Sequence, residues 1–278
     1  MTMQPARIFR VVLLTWLGLA PVLLSAQSAA EHDVTSLAKT SQNPVSDLTT
    51  LPFQFNFNTG GDLADATLLH VVFQPVFAFK VTDRWNTIVR TIVPVDSVPT
   101  SEGRVSGAGD IQEQLYVTPS QPGSVIWGAG PVFSLPTATA DAVKTGTWAA
   151  GFGAVALKMH GPWVVGALVN QYWPMTDTGG GPKTDLFVVQ PAVNYNFGAG
   201  WAVSFSPTIT ANWDAAPGNQ WTVPRGAGVS KTTVFNGRPM TIGLTYFYNV
   251  KKPQGSAGEF VRFSLTFLYP RPKRSAPP

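Results

Sequence analysis

The segment WAVSFSPTITANW, residues 201–213, decides the fold class. Apolar and polar residues alternate along it with a period of two, beginning and ending on tryptophan. A period of two is the spacing of side chains on one face of a β-strand, whereas an amphipathic helix repeats every 3.6 residues. The segment therefore predicts a strand with one apolar face and one polar face.

The same alternation recurs along the chain and predicts an all-β protein of about twelve strands. The predicted strands span 51–58, 68–80, 86–96, 110–119, 124–136, 148–158, 163–173, 185–197, 201–213, 221–234, 240–250 and 259–269. Pro75, Pro191 and Pro207 fall inside predicted strands. Because proline lacks an N–H group, each should mark a bulge or a weakened position of the hydrogen-bond ladder.

The connections between these strands alternate between short and long. Short turns include 160–162, 198–200 and 236–237, and long loops include 97–109 and 174–184. Outer-membrane barrels have an even number of antiparallel strands, short periplasmic turns and longer external loops. The pattern therefore predicts a transmembrane antiparallel up-and-down β-barrel over residues 51–269.

Tryptophans lie at or near the ends of the predicted strands, where the aromatic girdles of a membrane barrel would stand. Large aromatic residues also close the ends of soluble barrels and sandwiches, so a secreted β-sandwich stays open as an alternative. The eight tryptophans at strand ends are Trp85, Trp127, Trp148, Trp163, Trp173, Trp201, Trp213 and Trp221.

The two ends of the chain do not belong to the predicted barrel. Arg7 and Arg10 precede an apolar run and a series of small residues that ends at Ala30, the pattern of a cleaved signal peptide over 1–30. An uncleaved anchor is the alternative. Residues 31–50 are expected to form a periplasmic segment or a partial plug, and residues 270–278 form a basic, proline-rich tail.

Composition excludes several classes of function. The chain has no cysteine, which removes disulfides, thiol catalysis and thiolate metal sites. No cluster of His, Asp or Glu has metal-ligand spacing, so we expect no metal and no cofactor. The net charge of +4 comes largely from Arg7, Arg10 and the tail, which leaves no basic face for nucleic acid.

In a membrane barrel the polar phase of each strand faces the lumen, because charge facing lipid is costly. Most of the lumen candidates are neutral amides and hydroxyls, which suit a wet channel or contact with a polar solute. The candidate lumen residues are His70, Gln74, Lys80, Arg90, Gln190, Asn194, Ser204, Ser206, Thr208, Asn212 and Arg262, with Gln112, Gln114 and Tyr116 on the same phase.

The three lumen candidates with a positive charge are Lys80, Arg90 and Arg262. If they face inward, the lumen is mildly positive and weakly anion-selective. The alternative places them near the rims, paired with carboxylates such as Asp83 and with no part in selection.

A catalytic site has little support in the sequence. His70 is the one histidine on a predicted wall, and a hydrolase would need it within hydrogen-bond distance of Ser204 or Ser206. No spacing requires that arrangement, so we expect no enzyme, although a lipid-modifying enzyme that uses His70 stays an alternative.

Several strings of the sequence resemble the "MetA-pathway of phenol degradation" family of outer-membrane proteins, whose members are often labelled transporters or neuromedin U. The resemblance covers residues 37–270. It rests on LAKTSQNPVSDLTTLPFQFNFN (37–58), WNTIVRTIVPV (85–95), GAGDI (107–111), WGAGPVFSLPTAT (127–139), GPWVVGALVNQYW (161–173) and SPTITANWDAAPGNQWTVPRGAGVSK (206–231). It implies one exported barrel with a transport role, with hydrophobic or aromatic compounds as candidate solutes, and it transfers no functional residue.

Together these observations predict an outer-membrane channel or transporter for small solutes, with membrane lipid and a small molecule as its partners. A structural or adhesive barrel that binds through its long loops is a further alternative. The sequence leaves the solute and the oligomeric state open.

Overall fold

The computed structural model describes residues 33–62, 66–144, 146–176 and 183–270. The predicted signal peptide and residues 271–278 of the tail lie outside these ranges. Residues 33–41 form a helix, and Asp141–Val143 form one turn of 3-10 helix. The strands are β1 (Thr49–Thr59), β2 (Leu68–Phe73), β3 (Val76–Lys80), β4 (Trp85–Thr100), β5 (Gly103–Ala108), β6 (Ile111–Pro119), β7 (Ile126–Leu135), β8 (Ala149–His160), β9 (Trp163–Pro174), β10 (Leu186–Gly198), β11 (Trp201–Phe205), β12 (Ile209–Asn212), β13 (Trp221–Phe235), β14 (Arg238–Lys251) and β15 (Glu259–Tyr269).

The strands close into a twelve-stranded antiparallel barrel, as the sequence predicts. Each strand pairs with its neighbours in the chain, and β1 pairs with β15 from Thr49↔Tyr269 to Thr59↔Glu259. The ring therefore has no free edge. No helix among the described residues is long and apolar enough to cross a membrane.

The fifteen segments make twelve wall strands because two wall strands are broken and one segment lies outside the ring. β2 and β3 are one wall strand interrupted at Gln74 and Pro75, and β11 and β12 are one wall strand interrupted around Pro207. Pro191 stays within β10, but the pairing of β10 with β11 and β12 skips it. The expected weakening of the ladder at all three prolines is confirmed.

The predicted long loop 97–109 is instead mostly a β-hairpin, so the prediction of a loop there is wrong. β4 continues to Thr100, turns, and pairs with β5, with Val98 opposite Val105. The Ser106 hydroxyl donates to that of Ser97 at 2.9 Å, and the Arg104 guanidinium donates to the Ser97 carbonyl at 3.0 Å. These local bonds extend the ladder beyond the barrel wall, a feature that the polar composition hid.

The outer face of the barrel is apolar and carries two aromatic girdles. Trp85, Trp127, Trp163 and Trp201 stand near the rim that holds the short turns, which we call the short-turn rim. Trp148, Trp173 and Trp213 stand near the opposite, long-loop rim. Exposed Phe, Val, Leu and Ile side chains fill the band between them. An apolar outer band between two aromatic girdles is the arrangement of an outer-membrane barrel.

Two short turns have the chemistry that tight hairpins require. Asn236 and Gly237 both have positive φ, as a type I′ turn demands, and they join β13 to β14. Gly161, also at positive φ, opens the turn between β8 and β9. Asparagine and glycine at these positions avoid the cost that other side chains incur in the left-handed region.

The wall around β8 depends on glycines that let strands and side chains approach closely. A Cβ atom on Gly151 would lie 1.7 Å from the carbonyl oxygen of Gln171 on β9. We therefore expect Gly151→Ala to lower the free energy of unfolding in detergent by about 1–3 kcal/mol, since the ladder must shift to admit the methyl group. Urea titration of the refolded protein, followed by heat-dependent migration on a gel, measures the change.

Gly123→Ala is the matched control, because nothing lies within 4 Å of a Cβ at that position. Equal stability of the two variants would contradict the packing described for β8 and β9.

Candidate functional site

Side chains from opposite walls meet in the lumen around Arg90. Its Nη2 donates to Gln74 Oε1 at 2.6 Å, and its Nη1 donates to Gln114 Oε1 at 3.3 Å and to Gln190 Oε1 at 3.5 Å. β4 and β10 are not neighbours in the ring, so the contact with Gln190 crosses the lumen. We call Gln74, Arg90, Gln114 and Gln190 the septum.

A second set of hydrogen-bonded side chains lies next to the septum and joins β6 to β9, which are not neighbours in the ring. The Tyr116 hydroxyl donates to Asn170 Oδ1 at 2.7 Å, and Gln114 Nε2 donates to the Tyr172 hydroxyl at 3.0 Å. Both tyrosines are fully buried. A Cβ on Gly153 would lie 2.1 Å from Asn170 Oδ1, so only glycine leaves room for this network.

Two cavities lie along the lumen and share the septum residues Gln74, Arg90 and Gln190 as lining. The outer cavity, of about 260 Å³, extends toward the long-loop rim and includes His70, Asp96 and Val143. The inner cavity, of about 290 Å³, extends toward the short-turn rim and is lined in part by residues that precede β1. The septum therefore separates two spaces with side chains rather than with backbone.

Arg262 lines both cavities and makes a side-chain hydrogen bond through its Nε. Its Nε donates to Asn56 Oδ1 at 2.7 Å, while Asn56 Nδ2 donates to the His70 carbonyl at 2.9 Å. Its guanidinium carbon lies 5.4 Å from the ring centre of Phe247 and 5.5 Å from that of Phe260. This geometry fixes the guanidinium by one hydrogen bond and two cation–π contacts.

Residues 33–48 lie inside the barrel at the short-turn rim. Lys39 Nζ donates to the Gly161 carbonyl at 2.7 Å, and the Thr35 hydroxyl accepts from the Gly200 N–H at 3.3 Å. The side-chain amides of Gln42 and Asn196 bond reciprocally, at 3.0 and 3.1 Å. Val45 packs in an interior cluster with Ala78, Ile88, Tyr116, Val155 and Leu168.

His70 is paired with a carboxylate but not with a serine. Its Nδ1 lies 2.6 Å from Asp96 Oδ1 on the neighbouring strand β4. Among the described residues that line the outer cavity with His70 there are threonines but no serine. Ser206 lines the inner cavity, and Ser204 lines a smaller space beside β13 and β14. The geometry required for a Ser/His hydrolase is therefore not assembled.

The structure places the sequence-predicted lumen residues in two groups. Lys80 and Asn212 are exposed at opposite rims, where Lys80 Nζ lies 2.6 Å from Asp83 Oδ1 and its hydrogen bond and charge lower the pKa of Asp83. Asn212 Oδ1 accepts from the Asp214 N–H at 3.1 Å. The others line cavities or are buried within the barrel: His70, Gln74, Arg90, Gln190, Asn194, Ser204, Ser206, Thr208 and Arg262.

Two central residues were missed by the sequence reasoning. Asn170 and Tyr172 lie on the inward phase of β9, between Val169, Gln171 and the exposed Trp173. The period-two pattern of the segment would have placed them inward. It could not show that they meet residues of β6 across the barrel.

A closed barrel with an apolar outer band, aromatic girdles and a polar lumen has the fold of outer-membrane β-barrels. The chain is similar to the COG4313 outer membrane channel from Pseudomonas putida F1, with a TM-score of 0.59 and 15% identity over 80% of this chain and 94% of that chain. The CymD monoaromatic hydrocarbon channel gives a TM-score of 0.48 and 10% identity over 84% of this chain and 92% of its own. Outer membrane phospholipase A from Escherichia coli gives a TM-score of 0.45 and 9% identity over 84% of this chain and 98% of its own.

At these identities the likeness shows the fold alone. No protein-family model and no curated protein sequence matches the chain. The resemblance to the phenol-degradation family therefore stays a prediction.

The reciprocal amide pair between Gln42 and Asn196 should hold the segment 33–48 against the wall. We expect Gln42→Ala to lower the free energy of local opening of helix 33–41 by about 1–2 kcal/mol, because two hydrogen bonds are lost. Exchange measured by mass spectrometry on the refolded protein tests this.

Gln121→Ala, at an exposed position of a short turn, is the matched control. Unchanged protection in Gln42→Ala would show that other contacts hold the segment.

Proposed function

We propose that the protein is an outer-membrane channel that conducts small solutes through its lumen. The observation that carries this proposal is the pair of cavities, of about 260 and 290 Å³, that lie inside a closed wall and are divided only by side chains. Side chains change rotamer on fast timescales, so such a division can open without a change of fold. The fold shared with an outer membrane channel supports the same conclusion.

We further propose that residues 33–48 act as a plug at the short-turn rim, which by analogy with other outer-membrane barrels faces the periplasm. The segment contacts Gly161, Asn196 and Gly200 on one side of the barrel and continues into β1 on the other side. It therefore crosses the mouth of the lumen. Its hydrogen bonds to the wall are few, one at Lys39, one at Thr35 and two between Gln42 and Asn196, which suits a part that is displaced during transport.

The solute class that the lining favours is small and largely apolar. The outer cavity carries Val72, Ile92, Pro94, Val143, Leu186 and Val188 beside its polar groups. In ligand sites, apolar side chains cover the body of the ligand and polar groups fix its orientation. Hydrophobic or aromatic compounds with one polar group fit this lining.

A lipid-modifying enzyme is a second candidate because His70 and Asp96 form a close pair in the outer cavity. Full hydrolytic activity of a His70→Ala variant on any lipid that the protein cleaves would exclude it. The adhesive alternative depends on the long loops and has no comparable contact in its support.

The plug can be tested with two introduced cysteines, because the natural chain has none. We expect a Gln42→Cys/Asn196→Cys variant to show low unitary conductance in a planar bilayer when its two thiols are joined by a reducible, thiol-reactive cross-linker. Reduction of the bridge should raise the conductance by about twofold or more, since the segment can then leave the lumen.

The same reagent and reductant applied to the cysteine-free protein provide the control. Equal conductance before and after reduction, in a protein shown to be folded, would contradict the plug.

A further inference from the structure

We propose that Arg262 is the binding site for an organic monoanion, a carboxylate carried on a body about the size of one aromatic ring. The inference rests on the proposed channel function and adds the charge and the anchoring residue of the solute. It is carried by the orientation of Arg262, by the absence of a carboxylate partner among the described residues and by the apolar side chains that line the same cavity.

The guanidinium of Arg262 is held in an orientation that suits ligand binding. Asn56 accepts from its Nε, and the rings of Phe247 and Phe260 lie beside it. Its two terminal nitrogens, which carry four N–H groups, have no acceptor among the described residues and lie beside cavity space. Two such parallel donors match the two oxygens of a carboxylate.

Asn56 is fixed in the orientation that this site needs. Asn56 is buried, and its Nδ2 donates to the His70 carbonyl at 2.9 Å. Its Oδ1 must then face Arg262, which lies directly opposite on β15. The amide orients the guanidinium without neutralising it, so Asn56 is a positioning residue.

Among the residues that the structure describes, no side chain supplies a negative charge to Arg262. The outer cavity holds two carboxylates, and both are engaged elsewhere. Asp96 pairs with His70, and Asp110 accepts from the backbone N–H groups of Ala138 and Gly146. Arg90 adds a second positive charge on the same cavities, with three neutral amides as its partners. A charge away from bulk water is costly without a counter-ion, so the lumen favours an anion from solution.

The surroundings favour an organic anion over an inorganic one. Val72, Ile92 and Pro94 line the outer cavity together with Arg262, as do Leu186 and Val188. These apolar side chains gain by covering an apolar body, which a hydrated inorganic ion lacks. The volume of about 260 Å³ suits a single ring.

Isothermal titration of the whole refolded protein in detergent, at low ionic strength, tests the proposal with three probes. Benzoate carries the charge and the ring, benzyl alcohol carries a ring of the same size without the charge, and chloride carries the charge alone. We expect benzoate to bind more tightly than either of the other two.

Two variants remove the site in different ways. Arg262→Gln deletes the cation, and Asn56→Asp keeps the shape but supplies an internal counter-ion. Both should raise the Kd for benzoate by about tenfold or more, because a charge-assisted bidentate contact is lost, and should leave benzyl alcohol unaffected. Arg225→Gln, at an exposed arginine on β13, is the matched control and should bind benzoate as the natural protein does. If Arg262→Gln fails to fold, the Kd of Asn56→Asp for benzoate alone tests the proposal.

Equal affinity for benzoate and benzyl alcohol would overturn the proposal, as would unchanged benzoate binding in Asn56→Asp or chloride binding as tight as benzoate. These outcomes are independent of the channel itself. Benzoate binding without any ionic current would contradict the channel and support the anion site. Normal current without benzoate binding would support the channel and contradict the anion site.

Discussion

The pairing of β1 with β15 is the constraint on which the rest of the structure depends. A sheet in hydrocarbon cannot leave backbone donors and acceptors unpaired, so its first and last strands must meet. The register of this seam, from Thr49↔Tyr269 to Thr59↔Glu259, also places Asn56 directly opposite Arg262. Closure of the wall therefore forms the hydrogen bond from Arg262 to Asn56. The residues that precede Thr49 reach the barrel interior from the short-turn rim, where β1 begins.

In the lumen, large side chains pack against positions where another strand carries glycine. Tyr116 fills space that Gly153 on β8 leaves open, since a Cβ on Gly153 would lie 2.9 Å from the Tyr116 ring. The buried hydroxyls of Tyr116 and Tyr172 then find amide partners in Gln114 and Asn170. These bonds link β6 to β9, so they tie together the positions of strands that are not neighbours in the ring. The septum is the centre of this network.

Much of the fold was predictable because period two is a local property. The tryptophans at strand ends, the alternating loop lengths and the proline positions each follow from short stretches of sequence, and the closed barrel and the interrupted ladders confirm them. The hairpin of β4 and β5 was not predicted, since serine, glycine and arginine are as common in loops as in exposed edge strands. For the candidate site, the inward phase of Gln74, Arg90, Gln190 and Arg262 was predicted from alternation. Lys80 and Asn212 shared that phase but lie at the rims, because phase fixes the face of a strand and not the depth.

The sequence by itself determined the strands, their two faces and the alternation of turns and loops, since each depends on residues within a few positions of one another. Only the tertiary structure decided which inward residues meet. Arg90 and Gln190 lie on non-adjacent strands, and so do Tyr116 and Asn170, yet both pairs touch. Their contact depends on the strand number, tilt and stagger that set the radius of a closed barrel. Those quantities belong to the whole ring, and no single segment encodes them.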